Sequence, residues 1–117
     1  MKVVSFICYV LAGVFLKNSG PHLIVALSGR RNITPFGAHS SPLVNLLWCG
    51  MNGASGYLLV RFADRQENVN VADSKAWQIP FEAGYLALSL FGLLYAWFTA
   101  SHELRKEPET SARALLS

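Results

Sequence analysis

A run of nineteen residues without a charged side chain, residues 42–60, is the feature that most constrains the fold of this chain. As an α-helix it would be about 28 Å long, close to the roughly 30 Å thickness of a bilayer's hydrocarbon core. Two further charge-free runs cover residues 3–16 and 83–101. Only 15% of the 117 residues are charged, against about 25% in soluble domains. These runs predict an all-α membrane protein with three transmembrane helices.

Proline and glycine set the predicted ends of these helices. Gly20 and Pro21 are expected to stop the first helix, because proline disfavours helical geometry in the residue before it. The apolar residues 22–27 are too short to cross a bilayer, so they predict a broken or re-entrant segment after the first helix. Ser41 and Pro42 form a typical helix start, with a capping hydroxyl followed by proline.

The predicted spans cover about residues 3–19, 42–60 and 80–101. Together they form a transmembrane domain over residues 1–102, followed by a solvated C-terminal tail over residues 103–117. The first run could also be a cleaved signal peptide, but the small residues that cleavage needs lie inside the apolar run, which favours an uncleaved helix. The first connection and the C-terminal tail, which lie on one side of the membrane, contain six lysines and arginines. The N-terminus and the second connection, which lie on the other side, contain four. This bias favours an N-terminus outside and a C-terminus in the cytoplasm.

Two asparagines mark one face of the second predicted helix. Asn45 and Asn52 are seven residues apart and therefore lie on the same side. An amide without a partner in hydrocarbon is costly. The pair is expected either to bond a neighbouring helix and fix its packing, which is the favoured interpretation, or to coordinate a substrate or an ion.

Small residues predict close helix packing in two places. They recur near four-residue spacing, which lets helices approach closely; packing within one chain and packing between chains both stay open. The predicted helix-packing residues are Gly50, Gly53, Ala54 and Gly56 in the second helix, and Gly92, Ala96 and Ala100 in the third.

The connection between the first two helices is basic. Between Lys17 and Ser41 it contains no acidic residue, so Arg30 and Arg31 need an anion, which is either a lipid headgroup or a specific ligand. The predicted ligand-binding residues are Arg30, Arg31, His22, His39, Asn45 and Asn52. Two histidines without a third ligand predict no metal site, and Cys8 and Cys49 are expected to be free thiols.

The residues give little support for an enzyme, and no catalytic residue or cofactor is predicted. The chain has no G-x-S-x-G elbow, no phosphate loop and no paired intramembrane carboxylates, and it lacks the basic stripe of a nucleic-acid binder. The predicted function is that of a small integral membrane subunit acting through helix–helix association, as a homo-oligomer or as an accessory subunit of a larger membrane complex, among membrane lipids.

Two alternatives stay open. The first is a binding or transport unit for a small anionic or lipid-like ligand. The second is an intramembrane enzyme on a lipid-like substrate, with His22 or His39 as base and Arg30 and Arg31 on a phosphate. The environment of the two asparagines separates the first alternative from the subunit: a cavity open to solvent indicates binding, and a dry helix contact indicates packing.

Overall fold

The computed structural model of the chain describes residues 1–68 and 75–116, with side chains described as far as His102. Residues 69–74 and the side chains of the predicted tail (residues 103–117) lie outside the described residues. Its elements are α1 (Val3–Leu27), β1 (Asn32–Thr34), β2 (Gly37–Ser40), α2 (Pro42–Glu67), a 3-10 turn (Lys75–Trp77) and α3 (Gln78–Leu116). Within the described residues, three helices are long and apolar enough to cross a membrane.

The first helix continues through the predicted break. Pro21 lies inside α1 and is exposed, although its ring removes the N–H that would bond the carbonyl of Lys17. Contacts with α2 hold the helix on both sides of the proline, through Ser19 before it and His22 after it. The predicted broken or re-entrant segment is therefore not found, because tertiary contacts offset the loss of one helical hydrogen bond.

A short hairpin replaces part of the predicted turn-rich connection, so the fold is not purely helical. Strands β1 and β2 are antiparallel, with Asn32 opposite Ser40 and Thr34 opposite Gly37. The buried hydroxyls of Thr34 and Ser40 lie 2.6 Å apart, and Thr34 Oγ1 also accepts from the backbone N–H of Phe36 at 3.2 Å. These side-chain bonds stabilise a loop that would otherwise leave its polar groups to solvent.

The other helix boundaries differ from the predicted spans mainly at their C-terminal ends. Ser41 caps α2 as predicted, since its hydroxyl accepts from the N–H of Val44 at 3.3 Å. Helix α2 then continues past Val60 to Glu67, and Asn68 follows with a left-handed φ of 53°. Helix α3 begins at Gln78 and extends to Leu116. Charged residues do not end a helix when its backbone hydrogen bonds can continue. Apolar runs therefore locate the membrane spans but not the ends of the helices.

Helix α1 packs against both other long helices. Its contacts with α2 run in opposite order along the two helices, from Lys2 beside Glu67 to His22 beside Asn45, so these helices are antiparallel. Its contacts with α3 run in the same order. A small core of Cys8, Tyr9 and Ala63, with Leu59, Val60 and Trp77 packed against it, joins the start of α1 to the end of α2 and to the 3-10 turn before α3.

Candidate functional site

The contact between α1 and α2 contains a line of polar side chains, which we call the polar seam: Asn18, Ser19 and His22 of α1 with Asn45, Cys49 and Asn52 of α2. Asn45 is fully buried. Its Oδ1 lies 2.8 Å from His22 Nδ1, and its Nδ2 donates to the carbonyls of Ser40 and Ser41 at 3.0 Å each. Because the amide oxygen can only accept, His22 must donate from Nδ1. One asparagine thus joins both helices to the end of the hairpin.

Asn52 is also buried and also bonds a side chain of α1. Asn52 Oδ1 accepts from Asn18 Nδ2 at 3.1 Å, and its Nδ2 donates to the carbonyl of Trp48 at 2.7 Å. Between the two asparagines, the hydroxyl of Ser19 donates to the carbonyl of Cys49 at 3.1 Å and lies equally close to its Sγ. The two cysteines, Cys8 and Cys49, are buried free thiols.

Both asparagines therefore face a closed helix contact. They are 0% and 2% exposed, and every amide group has a partner within the chain. Buried polar groups with internal partners fix the register of two helices, since a shift of either helix would leave them unpaired. This environment favours packing over ligand coordination for Asn45 and Asn52.

The remaining predicted ligand-binding residues do not join them. Arg30, Arg31 and His39 are exposed around the hairpin, where Arg31 donates to the backbone carbonyl of His39 at 3.1 Å. His22 is buried, with its ring edge against Trp48. The six residues are thus divided: Arg30, Arg31 and His39 lie around the exposed hairpin, and His22, Asn45 and Asn52 lie in the closed seam.

The predicted packing residues are likewise divided. Gly56 lies at the contact with α1, where an added Cβ would meet Leu16 Cγ at 2.7 Å, and half-buried Gly53 lies beside Ser19. The others are exposed: Gly50, Ala54, Gly92, Ala96 and Ala100. A Cβ added at Gly50 or Gly92 would meet nothing within 4 Å.

Two glycines that the sequence analysis did not select form the contact between α1 and α3. A Cβ added at Gly13 would lie 2.1 Å from the carbonyl oxygen of Phe81, and one at Gly84 would lie 1.9 Å from that of Val10. The backbones therefore approach so closely that only glycine fits at both positions. Neither glycine belongs to a ladder at four-residue spacing; the one signal available was an alanine directly before each.

Polar contacts join the N-terminal end of α1 to the C-terminal end of α2. Tyr9 donates its hydroxyl to Asp64 Oδ1 at 3.0 Å. The backbone N–H of Lys2 donates to Glu67 Oε1 at 2.6 Å, and Lys2 Nζ donates to the carbonyl of Gln66. These contacts continue the antiparallel pairing beyond the seam.

A lateral opening, which we call the α1–α3 groove, has a volume of about 470 Å³. Such a volume is typical of small-molecule sites. Lys17 lines it, and its Nζ lies 4.7 Å from the centre of the Tyr85 ring. The groove is lined by Lys17, Asn18 and Pro21 of α1, Ile33 of the hairpin, and Leu88, Ser89, Phe91, Gly92 and Tyr95 of α3.

A second depression, of about 550 Å³, lies along the outer face of α2 alone, between Tyr57 and Arg65. Neither opening is lined by any of the six predicted ligand-binding residues. Within residues 1–68 and 75–102, no three histidine, cysteine, aspartate or glutamate side chains lie together in a way that could hold a metal ion.

No model of a protein family matches this chain, and no curated protein and no solved structure matches it.

Proposed function

We propose that this protein is a small integral membrane subunit that acts by associating with further transmembrane helices through α3. The observation that carries the proposal is the exposed stripe formed by Gly92, Ala96 and Ala100 on a helix long and apolar enough to cross a membrane. Small residues at this spacing allow close approach of a second helix.

Packing within the chain uses a different set of small residues. The α1–α2 contact uses Gly56, and the α1–α3 contact uses Gly13 and Gly84. The stripe on α3 therefore takes no part in the close helix contacts within the described residues. Gly50 and Ala54 form a second exposed pair on α2, which offers a further surface for the same kind of contact.

The position of the stripe around α3 supports an outside partner. At about 100° per residue, Ala96 lies roughly 120° from Gly84, the residue that meets α1. Ala100 lies about 160° away, so the stripe turns progressively from α1 toward the outer side. Exposed Ala87 lies about 180° from Ala96 and provides a matched control on the other side of the same helix.

The closed polar seam supports a subunit over a binding unit centred on the asparagines. The amide groups of Asn45 and Asn52 form their hydrogen bonds within the chain. We keep the predicted orientation, with the N-terminus outside, as part of the proposal. It puts exposed Arg30 and Arg31 at the cytoplasmic surface, where anionic lipids attract basic side chains.

Association is tested with Ala96→Leu and its control Ala87→Leu. Two populations of the chain, labelled with donor and acceptor fluorophores, are reconstituted in vesicles over a range of protein-to-lipid ratios. We expect energy transfer to saturate in the wild type and in Ala87→Leu, and to fall in Ala96→Leu because the added methyl groups separate the helices.

The same variants test the accessory form of the proposal in native membranes. A larger partner should co-purify in fixed stoichiometry with the wild type and Ala87→Leu, and should be lost from Ala96→Leu. A chain that is monomeric in vesicles and has no stoichiometric partner in its membrane would refute the proposal. Association that is equally sensitive to both substitutions would refute the role of the stripe.

A further inference from the structure

The pairing of α1 with α2 fixes the level of Lys17 relative to the membrane. The charge-free part of α2 lies beside α1 from the core cluster that contains Tyr9, against which Val60 packs, to His22, which contacts Asn45. Lys17 falls within this stretch, about 12 Å from Tyr9 and about 8 Å from His22 along the helix axis. When α2 crosses the hydrocarbon core with its charge-free part, Lys17 lies at depth.

An ammonium group at that depth requires a compensating partner. Charged side chains inside membranes are costly, and they mark binding sites and ion pathways. Among the described residues, Lys17 has the face of the Tyr85 ring as its neighbour and neither a carboxylate nor a hydrogen-bond acceptor. An aromatic face stabilises a cation, but it leaves the ammonium N–H donors without acceptors.

The α1–α3 groove supplies space for an anion with an apolar tail. Lys17 lies among its lining residues, and most of the others are apolar side chains of α1, α3 and the hairpin. The groove exists because α1 and α3 meet closely at Gly13 and Gly84, whereas farther along α3 an added Cβ at Gly92 would meet nothing within 4 Å. It is lined by none of the exposed arginines of the hairpin.

We propose that the α1–α3 groove binds a single-chain carboxylate amphiphile, with its carboxylate on Lys17 and its hydrocarbon chain between α1 and α3. A carboxylate accepts charge-assisted hydrogen bonds from an ammonium group. The apolar residues of the groove contact the hydrocarbon chain of the ligand. A phospholipid fits less well, because its phosphate stays at the headgroup level while Lys17 lies deeper. Of the three residues of the association stripe, Gly92 lines the groove, and Ala96 and Ala100 do not.

The test uses dodecanoate carrying a diazirine at its chain end, with the protein in phosphatidylcholine nanodiscs. After illumination, we expect labelled peptides from residues 88–95 or from the hairpin, and competition by unlabelled dodecanoate. Lys17→Gln should weaken apparent binding about ten- to hundredfold, the usual range for losing a charged hydrogen bond. Lys17→Arg should retain binding, and Lys75→Gln, which removes a charge from an exposed residue outside the groove, should leave it unchanged.

A second variant tests the groove without altering its charge. Gly92→Leu places a side chain into open space in the groove, so it should abolish labelling while the protein stays folded, whereas Ala96→Leu should not change it. Equal competition by dodecanol, or undiminished binding in Lys17→Gln, would overturn the assignment of the carboxylate to Lys17. Displacement of the probe by phosphatidylglycerol would overturn the choice of ligand.

Discussion

The two faces of α1 form contacts of opposite chemistry. Toward α2 it presents hydrogen-bonding side chains, and buried amides of Asn45 and Asn52 join the helices. Toward α3 it presents backbone, because Gly13 lies close to the carbonyl of Phe81 and the carbonyl of Val10 lies close to Gly84. Polar side chains specify register through directional bonds, whereas glycines specify it through shape alone. The polar contact is closed along the seam, and the glycine contact opens into a groove.

The glycine contact should be the more sensitive to a single substitution. Gly84→Val places a side chain against the backbone of Val10, which cannot move as the end of a side chain can. We expect a loss of about 3 kcal/mol or more in the free energy of unfolding, with α3 separating from α1 while α1 and α2 stay paired. Unfolding in sodium dodecyl sulfate, followed by tryptophan fluorescence, measures the loss.

Gly92→Ala is the control, since it adds a Cβ to the same helix at a position where nothing lies within 4 Å. It should leave stability unchanged or raise it by up to about 1 kcal/mol, because alanine is the better helix former. A similar loss in both variants would show that the close approach at Gly84 does not exist.

In the polar contact between α1 and α2, substitution of Asn45 should cause the largest loss of stability, because Asn45 forms the most hydrogen bonds. Asn45→Ala removes the amide that bonds the buried His22 and the carbonyl of Ser40, while the carbonyl of Ser41 keeps the backbone N–H of residue 45. We therefore expect a loss of about 2 kcal/mol in the free energy of unfolding. Asn52→Ala removes fewer contacts and should cost about 1 kcal/mol. A double-mutant cycle of His22→Ala with Asn45→Ala measures the coupling directly, and a coupling of zero would contradict the hydrogen bond between them.

The smallest effect is expected at the outer end of the same contact. Tyr9→Phe removes the hydroxyl that bonds Asp64 and should cost about 1 kcal/mol. Tyr57→Phe serves as control, because Tyr57 is exposed on α2 and its change should be close to neutral. Equal effects in the two variants would show that Tyr9 contributes through its ring alone.

Sequence patterns predicted the three apolar helices and the capping of α2 by Ser41, because both depend on local chemistry. They missed the continuation of α1 through Pro21, which depends on contacts made by Ser19 and His22 with another helix. They also selected ladders of small residues rather than the isolated Gly13 and Gly84, since spacing along one helix does not reveal which face meets a neighbour.

The candidate site shows the same limit. The shared face of Asn45 and Asn52 followed from their spacing, but their partners Asn18 and His22 did not. The role of Lys17 depends on the register of α1 against α2 and on an opening beside α3, and both are tertiary properties. A lysine after an apolar run is by itself typical of a membrane boundary.

The most direct test of the proposed association is photo-crosslinking from α3 in native membranes. In a chain whose Cys8 and Cys49 are replaced by alanine, Ala96→Cys and Ala87→Cys each carry a benzophenone maleimide. We expect a cross-linked product of defined mass from position 96, with a second copy or a larger subunit, and none from position 87. Equal products from both positions, or no product from position 96, would contradict it.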